Sequence, residues 1–198
     1  VQDNGVTATT AAGNVPINAW THVAAVRTSG ATQLYVNGIA VGATITQAPN
    51  AGGYAYIGRM SSSTVQQYFT GYISDLRVIK GNALYTSNFV PPINSQLTAV
   101  ANTQLLTLQT NGSHNNSTFK DQSYFSSNNV ITRSGNVTNG TFSPYGDNWS
   151  TYTSSGSYLS VPDTAVLQLG GGNFTIEGWF NFASFATNQP IYDQRNNG

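Results

Sequence analysis

The sequence Gly71-Tyr-Ile-Ser-Asp-Leu-Arg-Val-Ile-Lys-Gly-Asn-Ala-Leu-Tyr-Thr-Ser-Asn-Phe89 lies near the middle of the 198-residue chain and begins as a strand. Side chains alternate between the two faces of a strand. This predicts one face with Tyr72, Leu76 and Val78, and another with Ile73, Asp75, Arg77 and Ile79. Pro91-Pro92 ends the segment, because proline has no amide proton for a strand ladder. We expect a buried strand at which a structural unit closes.

The composition indicates a folded chain without a strongly charged surface. Hydrophobic residues make up 39%, aromatic residues 12% and charged residues only 7%, with a net charge of zero. This apolar content is sufficient for a core. A nucleic-acid partner is not expected, because phosphate binding requires a basic surface. Membrane insertion is not expected either, because no run of about 18 apolar residues occurs, and the absence of cysteine excludes disulfides and thiolate metal sites.

Short strands with turn residues between them recur along the whole chain. Trp20 to Arg27 is one, and Gln33 to Asn37 is another, followed by Asn37-Gly38, which favours a type I′ hairpin turn. The clearest alternation is in Asn173 to Phe182. There the pattern separates Phe174, Ile176, Phe180 and Phe182 from Thr175, Glu177 and Asn181. No long window has helical periodicity, so we predict an all-β antiparallel sandwich or jelly roll.

Several of these segments resemble the laminin-G-like, concanavalin A-like lectin family of jelly-roll domains. Trp20-Thr-His-Val-Ala-Ala-Val-Arg27 is similar to its W-x-H-V-A-x-x-R strand, and Leu34-Tyr-Val-Asn-Gly38 to its L-Y-V-N-G hairpin. Tyr56-Ile-Gly58 and Gly71 to Val78 resemble its closing strands. Phe174-Thr-Ile-Glu-Gly-Trp-Phe180 resembles its F-T-I-E-x-W strand, with Gly178 where an aromatic residue is more usual.

The order of these motifs is circularly permuted relative to the family. The F-T-I-E-x-W strand normally precedes the W-x-H-V-A strand, but here it follows it by about 150 residues. Residues 1–98 therefore resemble the C-terminal half of one sandwich, and residues 99–198 the N-terminal half of the next. The favoured hypothesis is a window across two tandem sandwiches. The alternative is one permuted sandwich over 1–198, since a lone half would leave an apolar face in water at about 25 cal/mol per Å².

The segment from Lys80 to Pro92, followed by Thr103-Gln-Leu-Leu106, resembles junctions in repeated domains of bacteriophage virion proteins, such as tail or capsid fibres. The resemblance implies an extracellular location on the virion surface. Its partners would be a host-surface glycan, other virion subunits or copies of the chain itself.

Candidate catalytic residues are few. Glycosidases use two carboxylates, but Glu177 is the only glutamate and no other acidic residue is near it in the sequence. We therefore expect Glu177 on a solvated sheet face and no enzymatic activity. His22 is interpreted as a packed sheet histidine, and Asp75 with Arg77 as a structural ion pair or turn anchor.

Carbohydrate and calcium sites are predicted from aromatic and acidic loop residues. Sugars pack on aromatic faces beside polar side chains, and the candidates are Arg59, Tyr68, Tyr145, Asn148, Trp149 and Tyr152. Calcium is the one cofactor considered, because related domains bind it through loop oxygens. Its candidate ligands are Asp147, Asp163 and Asp193, although no contiguous acidic loop is present.

The functional hypothesis is a non-enzymatic virion surface or fibre module that binds a host glycan or neighbouring subunits. Two alternatives remain open. One is a purely architectural capsid-decoration or stalk protein, and the other is a polysaccharide-degrading enzyme.

Overall fold

The computed structural model describes residues 2–3, 6–7, 15–49, 52–60, 66–109, 119–123, 129–146, 149–185 and 188–194. These residues form β-strands joined by turns and loops, and no helix among them could cross a membrane. The strands are β1 (Gln2–Asp3), β2 (Val6–Thr7), β3 (Trp20–Thr28), β4 (Ala31–Val36), β5 (Ile39–Ile45), β6 (Ala55–Ile57), β7 (Arg59–Met60), β8 (Gln67–Tyr68), β9 (Gly71–Lys80), β10 (Thr103–Thr107), β11 (Thr132–Ser134), β12 (Thr138–Gly140), β13 (Ser150–Thr153), β14 (Tyr158–Val161), β15 (Phe174–Phe182) and β16 (Tyr192–Asp193).

Two antiparallel sheets face each other. The large sheet has the order β12-β13-β9-β15-β3-β4-β5, with β10 also paired to β9. The small sheet has the order β11-β14-β6-β16. Two further strand pairs, β1 with β2 and β7 with β8, lie outside these sheets. The predicted all-β antiparallel jelly-roll sandwich is confirmed.

The main core lies between the two sheets. From the small sheet, Ile57 and Leu159 point inward and are fully buried. From the large sheet, Phe174, Phe180 and Phe182 enter the same cluster, and Ile176 packs against it. The sequence prediction for this face of β15 is therefore confirmed.

A β-bulge interrupts the pairing of β9 with β15. Glu177 pairs with Arg77 and Trp179 with Ser74, so two residues of β9 oppose Gly178 alone. Asp75 has a φ of 63° there. The extra residue reverses the alternation of β9.

The predicted faces of β9 are therefore partly wrong. Ile73 lies in the core cluster with Leu76 and Val78, whereas Tyr72 contacts aromatic rings on the opposite face of the sheet. One continuous alternation does not hold across the bulge, because the extra residue of β9 shifts every side chain beyond it to the other face.

The second face of the large sheet is covered by residues 81–102, called here the cover segment. Tyr85 and Phe89 pack against a buried cluster of Ala24, Val26 and Tyr35. The Phe89 amide donates a 2.9 Å hydrogen bond to the Gly38 carbonyl. This cover buries polar side chains of β9 and β15 that simple alternation assigns to solvent.

The two predicted halves of the chain, residues 1–98 and 99–198, both contribute strands to the large sheet. β15 lies between β9 and β3, and it pairs with each of them along most of its length. Residues before and after position 98 thus meet in one sheet. The division of the chain at residue 98 stays a prediction, and its test is given in the Discussion.

Candidate functional site

A group of tyrosines lies on the outer face of the small sheet. Ala55 and Ile57 of β6 point into the core, so Tyr56 between them points outward. The same alternation in β14 directs Leu159 inward and Tyr158 outward. The outward rings, with Tyr68 of β8, form a nearly continuous aromatic surface.

This surface, called here the tyrosine patch, consists of Tyr54, Tyr56, Arg59, Tyr68 and Tyr158. The Tyr54 and Tyr56 rings stack with centroids 6.1 Å apart, and Tyr158 meets Tyr56 edge-on at 5.7 Å. Tyr68 lies 6.3 Å from Tyr158, and its hydroxyl donates a 2.6 Å hydrogen bond to Gln66. Tyr54 is 51% exposed, so the patch is open to a ligand at this end.

Arg59 joins the tyrosines together. Its guanidinium carbon lies 4.6 Å from the centre of the Tyr158 ring and 4.9 Å from that of Tyr56. Both distances are typical of cation–π contacts. The Nε atom of Arg59 is buried and has no hydrogen-bond partner. The patch therefore combines flat apolar rings with a cation.

Glu177 lies on the other sheet in a buried charge network. Its Oε1 accepts hydrogen bonds from Arg77 Nε at 3.0 Å and Nη2 at 2.6 Å. Its Oε2 accepts one from the Tyr85 hydroxyl at 2.8 Å and lies 3.3 Å from His22 Nε2. Burial alone would raise the pKa of Glu177, but His22 and Arg77 together hold that pKa below its ordinary value.

The expectation of a solvated Glu177 is wrong. The side chain is fully buried, because the cover segment supplies Tyr85 above it and β9 supplies Arg77 beside it. The interpretation of His22 as a packed sheet histidine is confirmed: it is fully buried, with the Trp179 ring 5.3 Å away.

Asp75 forms a second buried network at the bulge. Its Oδ2 accepts hydrogen bonds from the Leu97 amide at 2.6 Å and the Tyr145 hydroxyl at 2.8 Å, and its Oδ1 accepts one from Gln109. Burial outweighs these donors and raises the pKa of Asp75 to about 6. The predicted ion pair with Arg77 is not formed, because Arg77 binds Glu177 instead. The alternative of an anchor is confirmed, since Asp75 holds the backbone of the cover segment.

A comparison with known protein families matches the first part of the chain. Residues 1–85 are similar to the family described as the Concanavalin A-like lectin/glucanases superfamily. No curated protein and no solved structure matches the chain. The matched residues 1–85 include most of the tyrosine patch, whereas Tyr158 and Glu177 lie beyond the match.

The structure does not bring together the five predicted carbohydrate-binding residues that it describes. Arg59 and Tyr68 lie opposite each other as register partners in β7 and β8. The hydroxyl of Tyr145 is bound to Asp75, and the Tyr152 ring packs 5.1 Å from Tyr72 on the large sheet. The Trp149 carbonyl accepts a hydrogen bond from Ser74, and Asn148 lies outside the described residues.

Sequence reasoning missed Tyr54, Tyr56 and Tyr158 as members of the patch. The signal was present in the alternation of Tyr54-Ala-Tyr-Ile57 and Tyr158-Leu-Ser-Val161. Each pattern has apolar residues at every second position and at least one tyrosine at the positions that alternate with them. What the sequence does not contain is the pairing of β6 with β14, which places the two patterns side by side.

Two of the three acidic residues considered for calcium lie in the described part of the chain, Asp163 and Asp193. Asp163 is exposed and accepts a 3.0 Å hydrogen bond from Gln168, whereas Asp193 is 8% exposed and pairs in register with Tyr56. Asp147 lies outside the described residues. Among the described residues, no three His, Cys, Asp or Glu side chains form a group that could hold a metal. Calcium binding stays a prediction.

A groove of about 420 Å³ lies elsewhere, between the cover segment and the residues that follow β10. Leu97, Leu106 and Asp121 are among its lining residues. The Asp121 carboxylate accepts hydrogen bonds from the amides of Leu106 and Ser123, at 3.0 and 2.9 Å. Asp121 thus holds residues 119–123 in place, and none of the predicted carbohydrate-binding residues that the structure describes lines the groove.

Proposed function

We propose that the protein is a non-enzymatic carbohydrate-binding module and that the tyrosine patch is its binding surface. The observation that carries the proposal is the set of outward tyrosine rings around Arg59. Aromatic rings offer a flat apolar face for the C–H groups of a sugar ring, while tyrosine hydroxyls can hydrogen-bond to its hydroxyls. The similarity to a superfamily of lectins and glucanases is consistent with this chemistry.

The buried carboxylates favour binding over hydrolysis. A glycosidase needs two carboxyl groups that flank the sugar bond. Asp75 and Glu177 are both fully buried, and both oxygens of each are occupied by neighbouring groups. A sugar bond has no access to either of them in this arrangement.

The proposed setting is the surface or fibre of a virion, in an extracellular location, with a host-surface glycan as the ligand. This part rests on the likeness of the segment from Lys80 to Pro92 to junctions in phage virion proteins. Other virion subunits or copies of the same chain would be the neighbours along the fibre.

A purely architectural role is the second candidate, because an apolar surface lies beside the cover segment. Val90 is 85% exposed and Ile39 is 54% exposed. The contact between Gly38 and Phe89 brings their two segments together. A neighbouring subunit that packed on these side chains would remove them from water.

The test is glycan-array screening followed by isothermal titration with the best ligand. Tyr158→Ala should weaken binding at least tenfold, because Tyr158 contacts Tyr56, Tyr68 and Arg59. The matched control is Tyr152→Ala, which removes a comparably half-buried ring from the large sheet and should leave the affinity unchanged.

Failure of the wild type to bind any glycan would overturn the binding proposal and leave the architectural role. Equal losses of affinity in both variants would show that the binding site is not the tyrosine patch. Release of shortened oligosaccharides from the bound glycan would contradict the non-enzymatic assignment.

A further inference from the structure

Arg59 differs from the other arginines in the described part of the chain. Arg77 binds Glu177 and the Thr98 carbonyl. Arg27 donates to Thr32 and to several backbone carbonyls, and Arg133 donates to the Val137 carbonyl. Arg59 forms no hydrogen bond or ion pair with another described residue, and its contacts are with the faces of Tyr56 and Tyr158.

This environment makes the guanidinium group of Arg59 suitable for binding an anion. A guanidinium group carries five N–H donors in one plane and has no acceptor. No described residue accepts a hydrogen bond from this group in Arg59, so its donors have no partner among the described residues. Planar donor pairs match the two oxygens of a carboxylate or sulfate, and such charge-assisted hydrogen bonds are stronger than neutral ones.

The acidic side chain nearest in register does not neutralise Arg59. Asp193 pairs with Tyr56 through β16 and is 8% exposed. Among the described residues, no ion pair joins Asp193 to Arg59. The positive charge of the patch is therefore not cancelled by a direct contact with a described acidic side chain.

We propose that the tyrosine patch selects an acidic glycan, with the sugar ring against the tyrosines and its carboxylate or sulfate on Arg59. This inference rests on the proposed carbohydrate-binding function and names its ligand class. Uronic acids and sulfated sugars share the required chemistry, which is a planar or trigonal set of anionic oxygens attached to a pyranose ring.

The experiment measures affinity for matched charged and neutral oligosaccharides by isothermal titration. The carboxylate arm compares hexagalacturonate with its methyl ester and a hyaluronan octasaccharide with its carboxyl-reduced form. The sulfate arm compares a keratan sulfate octasaccharide, which has no uronic acid, with its desulfated and therefore neutral form. At least one charged probe should bind about tenfold or more tighter than its neutral partner, as expected for hydrogen bonds to a charged group. The arm with the larger ratio identifies the anionic group.

Arg59→Gln should abolish this preference, because the charged probe should lose at least about tenfold more affinity than the neutral probe. Arg59→Lys should retain part of the preference, since it keeps the charge but loses the planar donor pair. The matched control is Arg133→Gln, which removes an exposed arginine from the small sheet. It should have no effect. Added salt should weaken only the charged probe, because surface charges are screened.

Equal binding of charged and neutral probes by the wild type would overturn this inference while leaving the carbohydrate-binding function intact. A preference that survives Arg59→Gln would overturn the role of Arg59. Absence of binding to every charged probe would also overturn the inference. Absence of binding to the whole glycan array would instead overturn the proposed function itself.

Discussion

At the scale of single residues, two buried carboxylates have opposite environments. Glu177 is surrounded by Arg77, His22 and Tyr85, and His22 and Arg77 hold its pKa below the ordinary value despite its burial. Asp75 has neutral hydrogen-bond donors around it, and the effect of burial outweighs theirs, so its pKa is raised. The two groups therefore couple stability to pH with opposite signs.

The expected consequence is a free energy of unfolding with a maximum in mildly acidic solution. The folded-state pKa of Asp75 is about 6 against an ordinary 3.8, so the folded chain binds the extra proton and is stabilised as pH falls from 7 towards 4. The gain is at most about 3 kcal/mol. The pKa of Glu177 is lowered from 4.5, so its stabilisation is present above pH 4.5 and is lost as pH falls further.

Urea denaturation at a series of pH values measures this profile. The series runs from about pH 3.5 to about pH 7.5, which includes the range in which buried and exposed acidic groups titrate. Asp75→Asn should remove the rise between neutral and mildly acidic pH. Asp163→Asn, at an exposed aspartate, should leave the rise in place. If the stability profile of Asp75→Asn ran parallel to that of the wild type, Asp75 would not be the group whose raised pKa causes the rise.

The burial of Glu177 could not have been predicted from its own strand. Alternation correctly separated it from Phe174 and Phe180, but the opposite face was assumed to be solvated. Its partner Arg77 is 100 positions away, and Tyr85 is 92 positions away. Only the fold brings three such distant residues together.

At the scale of elements, turns and bulges determine where the cover segment lies. Asn37 and Gly38 have φ values of 49° and 78°, as the predicted type I′ turn requires. Gly38 also meets the cover segment: a Cβ atom there would lie 1.9 Å from the Phe89 carbonyl oxygen. The turn was predictable from its Asn-Gly pair, but this contact was not, because it depends on a segment 50 residues away.

Gly38→Ala and Gly30→Ala form a matched pair of variants. Both glycines have a φ near +80°, but a Cβ atom at Gly30 would contact nothing within 4 Å. Gly30→Ala should cost only the backbone penalty of about 1–2 kcal/mol. Gly38→Ala should cost clearly more, because the cover segment must move away from the turn. Chemical denaturation compares the two variants, and equal losses would show that the close approach of Phe89 does not contribute.

The β9 bulge is the element that sequence analysis did not anticipate. Its register shift requires one β15 residue to face two β9 residues, and Gly178 occupies that position. A Cβ atom at Gly178 would lie 3.2 Å from the Phe180 ring and 3.4 Å from the Asp75 carbonyl. This crowding gives a physical reason for a glycine where the resembling family more usually has an aromatic residue.

At the scale of the whole molecule, the sandwich was predictable but its strand order was not. Alternating patterns indicate strands and their buried faces, yet they do not name a strand's neighbours. The tyrosine patch shows the same limit, since Arg59 and Tyr68 were selected from the sequence while Tyr158 enters only through the pairing of β14 with β6. Local patterns thus predict faces, and long-range pairing assembles the site.

Separate production of residues 1–98 and 99–198 tests the division of the chain. Each half alone would expose the apolar faces that meet in the core, at about 25 cal/mol per Å². We expect neither half to unfold cooperatively alone, and the mixture to regain cooperative unfolding by circular dichroism. A 99–198 fragment with Phe180→Asp, which places a charge in the core, is the control and should not restore it. Independent cooperative folding of either half would contradict a single sandwich and favour two units.

The position of β15 between β3 and β9 also has a consequence during synthesis on the ribosome. β3 and β9 emerge first, and the space between them stays open until residues 174–182 have been translated. Unpaired strand edges are ready to pair with another chain. We therefore expect that, when many copies are made at once, the β15 of a neighbouring chain competes for this position until the chain's own β15 has been translated.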